Sequence, residues 1–587
     1  MSTAAETSSD SRPGSSSPES GGEPRYGGTL RMLGPGGVDH IDTASAYYAT
    51  SSQILRALTR QLFAYPATGD LSTPEKAFAP APDLAVEIPT TANGGISEDG
   101  RTYTIRLRSG VRWDSTPPRE VTAQDVIRGL KRLGNPGCGA GALHFYTSTI
   151  EGMREYCDAY RSAFENAAPT PRELADFQNG HDIAGLHAAD DKTLVVRLLR
   201  PAHDFLNILA MGFASPVPVE YDDFLPDSAE FRAGIRSCAP YRLTRYTERG
   251  QEILMERNDV WRQETDPIRH QYVDAIHITA SKEPGDVVKA KLDSGEVDLA
   301  WSFTSVSWAR PEPGQLMTPR SYPGFALNPY IVFNLRSPNP ATSDLAVRTA
   351  VAYAIDKVAI GDILDVLDAP NRPLHSAIPP GSAGHREFNP YPTPGDRGDS
   401  AKARQVLADA GYQDGLTLVA AVRDIGIHLK VMESVAADLQ ECGITLEFRK
   451  YSQAEYYGSL LSDPARAAAG EWDIAEPGFT PDWFGANGRA IVQPLFQTNP
   501  NAGTTNYGGY SDPDVDALIE QALAEPDQVR ADDLLHEVDV RIMRDLPIVP
   551  ILAFAAMTSR YHGKRVRNAV HVPQIEFFDI TNVWLED

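Results

Sequence analysis

The chain has 587 residues, of which 42% are hydrophobic and 23% are charged, as is usual for a folded globular protein. This length is enough for about three or four domain-sized cores. The formal net charge of −25 argues against nucleic acids and anionic membrane surfaces as partners, because both require clustered Lys and Arg. No stretch reaches the ~18 consecutive apolar residues of a membrane-spanning helix, so no segment is expected to cross a bilayer.

The first 24 residues, MSTAAETSSDSRPGSSSPESGGEP, contain eight Ser and almost no large apolar side chains. Such a segment cannot bury enough apolar surface to offset the entropy of ordering, so residues 1–24 are expected to form a disordered tether. A tether before a folded body is what remains of an exported lipoprotein once its signal segment and lipidated Cys are removed. The alternative is that Met1 is native and that the protein is cytoplasmic.

The early part of the folded body predicts a strand followed by a helix. Residues 103–107 alternate between apolar and polar side chains, which indicates a half-buried strand. The segment VTAQDVIRGLKRL then has helical periodicity and begins beside Thr122, which can cap the helix.

The four Cys of the chain leave one question open. Cys138 and Cys157 lie on either side of a Gly-rich loop, and a disulfide closing that loop would stabilise the fold by about 3 kcal/mol. The spacing permits this bridge in an exported protein without requiring it. Cys238 and Cys442 are far apart in the sequence and are interpreted as small buried side chains.

Two later segments predict layered α/β structure. In VVKAKLDSGEVDLAWS a short helix precedes an apolar strand that ends in Trp301. Residues 416–422 and 444–450 read as strands, and the helix between them places four apolar side chains on one face, namely Val431, Met432, Val435 and Leu439. Alternation of strand and helix implies a parallel sheet, and ligands of such sheets lie at the carboxyl ends of strands. Arg423 stands at one such end, and Asp482 follows another strand, EWDIAEP.

The common catalytic signatures are missing from the sequence. It contains no GxSxG, HExxH, GxxxxGK[ST] or CxxC motif. The nearest His pair, His181 and His187, lies in a polar connector and is interpreted as solvent-exposed. We therefore predict no catalytic residue, no metal site and no cofactor.

Six segments match a known family in the order in which they occur. They are DGRTYTIRLRSGVRW with VTAQDV, CAPYRLTRYTERGQEILMERNDVW, LAVRTAVAYAIDKVAI, the unit around Arg423, YGGYSDPDVDALIEQA and LPIVPIL. Together they closely resemble the family 5 solute-binding proteins of ABC importers, the oligopeptide, dipeptide and nickel-binding type, from about Tyr26 to the C-terminus.

The resemblance implies an α/β protein with the two-lobed class II periplasmic-binding-protein fold and an extra subdomain inserted in the first lobe. The implied divisions after the tether are first lobe 25–58 and 205–279, inserted subdomain 59–204, second lobe 280–552, and a return to the first lobe over 553–587. Such proteins close on a ligand and dock on the permease subunits, and they are carriers, not enzymes. We expect a monomer without bound nucleic acid.

The resemblance also implies ligand contacts. Peptide-binding members have an aspartate after an apolar strand that pairs with the ligand's α-amino group, and GFTPDWFG places Asp482 at that position. Dipeptide-type members hold the ligand's carboxylate with an arginine between strand and helix, which falls on Arg423 here. A guanidinium suits a carboxylate because it donates two parallel hydrogen bonds. The alternative is that Arg423 pairs with Asp424 or Glu447.

Aromatic side chains and a second acid complete the predicted site. The aromatic candidates for the cleft are Tyr47, Tyr48, Trp301, Trp308, Tyr330 and Trp483, with Trp483 and Trp301 ahead of the others. Ordinary core packing is the alternative for each of them. By strand alternation Glu476 shares a face with Ile474, so the cleft is predicted to carry two acids, which favours a cationic or amine-bearing ligand. That preference disappears if Glu476 points to solvent.

Three functions are compatible with these features. The leading one is the binding component of an ABC importer, which captures a short peptide or another amine-bearing metabolite outside the membrane. The rival is an intracellular protein on the same fold, recruited to another role such as a biosynthetic enzyme. A nickel or metallophore carrier is a weaker hypothesis, because the sequence has few clustered His and Cys residues.

Overall fold

The structure is a computed structural model. It describes residues 23–34, 37–68, 78–165, 167–247, 250–281, 283–301, 326–364, 372–484, 488–499, 504–554, 561–575 and 577–586. The predicted tether, apart from Glu23 and Pro24, therefore lies outside the described residues. Within the described ranges we find no helix with the length and apolar character needed to cross a membrane.

Twenty-four strands are found in the described part of the chain, and most of them are short. In chain order they are β1 Thr29–Gly34, β2 Phe63–Ala64, β3 Ala81–Pro82, β4 Thr102–Arg106, β5 Arg112–Trp113, β6 Arg119–Glu120, β7 Leu186–Asp190, β8 Thr193–Arg197, β9 Tyr241–Tyr246, β10 Glu252–Arg257, β11 Ala275–Ala280, β12 Leu299–Ala300, β13 Ala326–Leu327, β14 Tyr330–Phe333, β15 Arg372–Pro373, β16 Leu416–Arg423, β17 Ile444–Tyr451, β18 Ile474–Ala475, β19 Ile548–Pro550, β20 Leu552–Phe554, β21 Val566–Arg567, β22 His571–Val572, β23 Phe577–Phe578 and β24 Trp584–Leu585.

The described residues also form eighteen α-helices. In chain order they are α1 Ala49–Leu58, α2 Ala123–Arg132, α3 Leu143–Thr147, α4 Met153–Ala163, α5 Pro171–Gly180, α6 Phe205–Ala210, α7 Ala229–Ala233, α8 Gly285–Ser294, α9 Pro340–Ser343, α10 Leu345–Ala354, α11 Lys357–Leu364, α12 Ser400–Asp409, α13 Gly426–Cys442, α14 Gln453–Glu455, α15 Pro464–Ala468, α16 Gly488–Phe496, α17 Pro513–Ala524 and α18 Gln528–Asp545. One turn of π-helix, Tyr456–Leu461, follows α14 directly.

Two mixed five-stranded sheets form the frames of two lobes. In the first lobe the strand order is β12-β1-β11-β10-β9, with β1 parallel to β11 and β12. In the second lobe the order is β17-β16-β18-β14-β19, with β16 parallel to β17 and β18 and β14 antiparallel to its neighbours. A smaller antiparallel sheet, β4-β8-β7, lies in the chain between α1 and the rest of the first lobe. The two-lobed α/β fold is thus confirmed.

The elements predicted from local patterns are confirmed. The four apolar side chains of α13 are fully buried, and the helix ends at Gly443, whose φ of +98° suits glycine. The strands on either side of α13, β16 and β17, pair in parallel as alternation required. At the start of α2, Thr122 and Asp125 form a reciprocal capping box, which satisfies two backbone N–H groups of the first turn.

Three large apolar cores correspond to these parts of the molecule. The first-lobe core packs around β1 and β11 and includes Trp301, and the second-lobe core packs around β14 and β16. A third core fills the part of the chain that carries β4 and β8, and it also takes in Trp483 and Ala490 from the second lobe. The second lobe therefore contributes side chains to a core of its partner lobe.

All four Cys are free thiols. The bridge that the spacing of Cys138 and Cys157 allowed is not formed, since Cys157 is buried in α4 against Gly134 and Cys138 lies apart in its loop near Arg132. Burial raises the pKa of Cys138, Cys157 and Cys238 to about 12. Thiols with such pKa values carry little thiolate at neutral pH.

Thiol titration tests this arrangement. In denaturant without reductant, a chromogenic disulfide reagent should count four thiols per chain, since the structure contains no bridge. In the folded protein the same reagent should react slowly, because burial suppresses the reactive thiolate. A count of two in denaturant would show that Cys138 and Cys157 are oxidised.

Asp539 in α18 is a buried acid of the second lobe. Its Oδ1 atom accepts a hydrogen bond of 2.7 Å from the backbone N–H of Ala377, and Oδ2 has no partner among the described residues. Burial raises the pKa of Asp539 to about 7, against the lowering effect of the N–H groups of Ala377 and Ile378. The folded protein therefore binds this proton more tightly than the unfolded chain does.

Replacing Asp539 with Asn should flatten the dependence of stability on pH. In the wild type, raising the pH from 4 to 7 should cost up to about 1.4 kcal/mol of unfolding free energy per pH unit at this site. Asp539→Asn keeps the acceptor for Ala377 and lacks the charge, so it should be more stable than the wild type at pH 8 and similar at pH 4. Denaturant unfolding of the second lobe at both pH values measures the difference. Asp532→Asn, a change at a half-buried position on the same helix, is the control, and parallel pH profiles for Asp539→Asn and wild type would contradict the assignment.

Candidate functional site

A cavity of about 520 Å³ lies between the two lobes. From the first lobe its walls include side chains of the segment before and within α1, of the loop after α6 and of the C-terminal return, among them Tyr47, Tyr48, Arg56, Tyr65, Met211, Phe213, Gln574 and Phe577. From the second lobe they include Gln453, Tyr457, Phe479, Thr480, Asp482, Thr505 and Tyr507. The volume is in the range of small-ligand sites, and the described walls include eight aromatic side chains.

Asp482 is the acid of this cavity. Its Oδ2 atom is buried and has no hydrogen-bond partner among the described residues. Burial raises the pKa of Asp482 to about 6, although the Tyr47 hydroxyl and the residue's own backbone N–H lower it. Tyr47 lines the cavity and is 40% exposed as a residue, and burial and then the charge of Asp482 raise the pKa of its hydroxyl well above the usual range. Tyr47 and Asp482 thus both line the cavity.

The loop that carries Asp482 is fixed from both lobes. It leaves β18 through Gly478, where an added Cβ would lie 2.4 Å from the side-chain oxygen of Asn328, so a larger residue would have to displace that side chain. The Gly478 N–H donates to the hydroxyl of Tyr457 at 3.1 Å. From the first lobe, Gln574 Nε2 donates to the backbone oxygen of Asp482 at 2.7 Å. The position of the carboxylate therefore depends on the lobes being together.

Arg423 and Glu476 pair with each other and do not line the cavity. The guanidinium Nη2 donates to Glu476 Oε2 at 2.8 Å and to its backbone oxygen at 3.1 Å, and both side chains are buried. Burial opposes ionisation of both groups, yet the mutual attraction prevails, raising the pKa of Arg423 and lowering that of Glu476. The rings of Tyr456 and Tyr457 cover the guanidinium at 5.6 and 5.5 Å. Arg423 thus pairs with neither Asp424 nor Glu447, and the cavity does not carry two acids.

The predicted tryptophans are core residues. Trp483 is fully buried and packs edge-on against Phe145 of α3 at 4.6 Å between ring centroids. Trp301 is also fully buried, in the first-lobe core. Tyr330 is buried in the second-lobe core, where it lies near Tyr507. None of the three lines the cavity, and Trp308 lies outside the described residues.

Several cavity residues were not predicted from the sequence. Tyr457, Tyr507, Phe213 and Phe479 line the walls, and each of them stands beside a glycine, which would have been a usable signal for exposed rings. Tyr457 belongs to the π-helical turn after α14, an element that the sequence analysis did not predict.

A second set of contacts between the lobes surrounds Arg489 at the start of α16. Its Nη2 donates to the hydroxyls of Ser148 at 2.6 Å and Thr149 at 2.8 Å, and its Nη1 lies 3.4 Å from Asp204. Arg489 is buried, so these contacts are removed from water, and burial lowers the pKa of its guanidinium in spite of Asp204. The two lobes are therefore in direct contact in this structure, and we refer to this arrangement as the closed form.

The chemistry of the cavity suits binding. Its described lining contains no His, Cys or Lys, and Asp482 is its one acid. Across the described ranges, no group of three or more His, Cys, Asp or Glu is placed to hold a metal ion. The walls offer one carboxylate, several hydroxyls and aromatic faces, which together can hold a cationic organic group.

The family model for bacterial extracellular solute-binding proteins, family 5, matches residues 79–500. The chain belongs to this family. It is 27% identical to a dipeptide-binding protein from Pseudomonas aeruginosa, over 81% of this chain and 84% of that protein. It is 25% identical to heme-binding protein A from Haemophilus influenzae, over 80% and 79% respectively.

The fold of this solute-binding protein also matches solved structures. One is a clavulanic acid biosynthesis oligopeptide binding protein 2, with a TM-score of 0.76, 25% identity and coverage of 96% of both chains. Another is the periplasmic binding protein DppA from Helicobacter pylori in complex with the peptide STSA, with a TM-score of 0.72 and 20% identity. As a family member, the protein is the substrate-binding component of an ABC importer.

Proposed function

We propose that this solute-binding protein captures a short peptide or another amine-bearing metabolite between its lobes and holds the ammonium group on Asp482. The observation that carries the proposal is the carboxylate of Asp482, which lies on the wall of the cavity between the lobes with Oδ2 buried and unpartnered in the described structure. An ionised carboxylate in such surroundings is costly unless a cation neutralises it. Relatives named for binding dipeptides and oligopeptides support the choice of ligand class.

The proposed cycle uses the two lobes as a trap. Ligand supplies the positive charge that the closed cavity lacks, so it shifts the lobes toward closure, and the closed form docks on the permease subunits. We place the protein at the outer face of the cell membrane, held by a lipid anchor, as a monomer without catalytic activity. The proposed divisions are 25–58 and 205–279 for the first lobe, 59–204 for its inserted subdomain, 280–552 for the second lobe and 553–587 for the return.

Two measurements test the proposed function. Native mass spectrometry of the purified protein should reveal a bound species whose mass fits a small amine-bearing compound. Calorimetric titration should then detect binding of that compound, or of members of a panel of dipeptides and tripeptides, and N-acetylation of the same ligands should abolish binding. Binding that survives acetylation would exclude Asp482 as an ammonium site.

Binding should also weaken in acid. The pKa of free Asp482 is about 6, whereas the neighbouring Tyr47 and Tyr146 hydroxyls have raised pKa values and stay neutral. An ammonium ligand binds the ionised carboxylate, so at pH 5 a proton occupies about nine in ten sites and the affinity should be about tenfold lower than at pH 7.5. Calorimetry at both pH values measures this change. Asp482→Asn should show no such dependence, and a wild-type affinity that is flat between the two pH values would contradict the assignment.

A further inference from the structure

The charges on the cavity walls indicate a narrower class of ligand than the proposed function does. This inference rests on the proposed function. Its described lining contains two charged side chains, Arg56 and Asp482. Arg56 Nε donates to Asp579 at 2.9 Å, and both side chains are buried, so this pair is neutral overall although Arg56 Nη2 has no hydrogen-bond partner among the described residues. The charge of Asp482 is left without a countercharge.

The arginine predicted to receive a ligand's carboxylate is not available for that role. Arg423 is neutralised by Glu476 and covered by Tyr456 and Tyr457. Arg489 is committed to Asp204 and to the hydroxyls across the lobe contact. Among the described lining, a carboxylate that entered the cavity would therefore meet one cation, Arg56, whose charge Asp579 already balances. Aromatic rings, in contrast, favour a cation.

We propose that the cavity selects ligands that carry one ammonium group and no free carboxylate, so that peptide amides and apolar amines bind in preference to zwitterionic peptides and amino acids. Such a ligand brings a single positive charge, which balances Asp482. A zwitterion also brings a negative charge, which has to be removed from water without a partner when the lobes close. The eight aromatic side chains of the described walls favour a ligand whose remainder carries apolar or aromatic groups.

Three ligands with the same side chains test the proposal by calorimetry at pH 7.5. They are Leu-Phe amide, Leu-Phe with a free carboxylate, and N-acetyl-Leu-Phe amide. We expect the amide to bind at least about tenfold more tightly than the free acid, which corresponds to about 1.4 kcal/mol, and the acetylated amide not to bind. In Asp482→Asn the advantage of the amide over the free acid should disappear.

Two further ligands distinguish this charge rule from the proposed capture of peptides. Phenylethylamine and phenylalanine share a ring and an ammonium group and differ in the carboxylate. If no peptide derivative binds but phenylethylamine binds more tightly than phenylalanine, the charge rule stands and the peptide assignment falls. If the free acids bind as tightly as or more tightly than their neutral counterparts, the rule is overturned while capture of amine-bearing ligands stands. Binding of none of the five compounds would overturn both.

Discussion

Asp482→Asn is expected to weaken binding of an amine-bearing ligand by about 2 to 5 kcal/mol, the range for removing one partner of a buried charge pair. The substitution keeps the shape of the side chain and its place beside Tyr47, and it removes the charge that the ammonium requires. Without ligand, stability should stay the same or rise, because the variant no longer confines an unpaired carboxylate. Calorimetric titration and thermal unfolding of both proteins measure the two effects.

Asp514→Asn is the matched control, since it removes one negative charge from an exposed side chain on α17, far from the cavity lining. It should bind as the wild type does. Equal affinities of wild type and Asp482→Asn would mean that Asp482 only holds its own loop. Glu476, the other acid predicted in the cleft, could not then replace it, because Arg423 neutralises Glu476.

Arg489→Met is expected to open the lobes. The change removes the charge and the hydrogen bonds to Ser148 and Thr149 and leaves Asp204 without its cation, and breaking such a buried pair costs about 3 to 5 kcal/mol. Because these contacts exist only when the lobes are together, the loss falls on the closed form. Small-angle scattering of the ligand-bound variant should therefore show a larger radius of gyration than that of the wild type, and ligand affinity should fall, since ligand must now drive closure alone.

Arg200→Met tests whether the loss of any ion pair between the lobes has the same effect on closure and affinity. Arg200 pairs with Glu520 at 3.2 Å, where both side chains reach water, and such pairs contribute about 1 kcal/mol or less. Its scattering curve and affinity should stay near those of the wild type. If Arg489→Met behaved in the same way as Arg200→Met, the buried network would have no special part in closure.

Local patterns in the sequence determined much of the frame. The 3.6-residue period of α13 places four apolar side chains on one face of the helix, namely Val431, Met432, Val435 and Leu439. A helix on the surface of a sheet buries that face against the sheet. Strand and helix alternation around it required β16 and β17 to be parallel. The same reasoning put Asp482 in a loop at the carboxyl end of a strand, where it does line the cavity.

Tertiary structure alone decided the partners of the remaining side chains. Parallel pairing of β16 with β18 brings their carboxyl ends together, so Arg423 and Glu476, 53 residues apart, neutralise each other before any ligand can use them. Trp483 looked like a cavity residue because it follows Asp482, but contact between the lobes buries it against Phe145. A single strand or loop carries no information about which distant group faces it, because pairing depends on the register of other strands and on how the lobes meet. The sequence therefore determined where charges and rings stand along the chain, and only the packing of two lobes decided which of them stay unpaired and face a ligand.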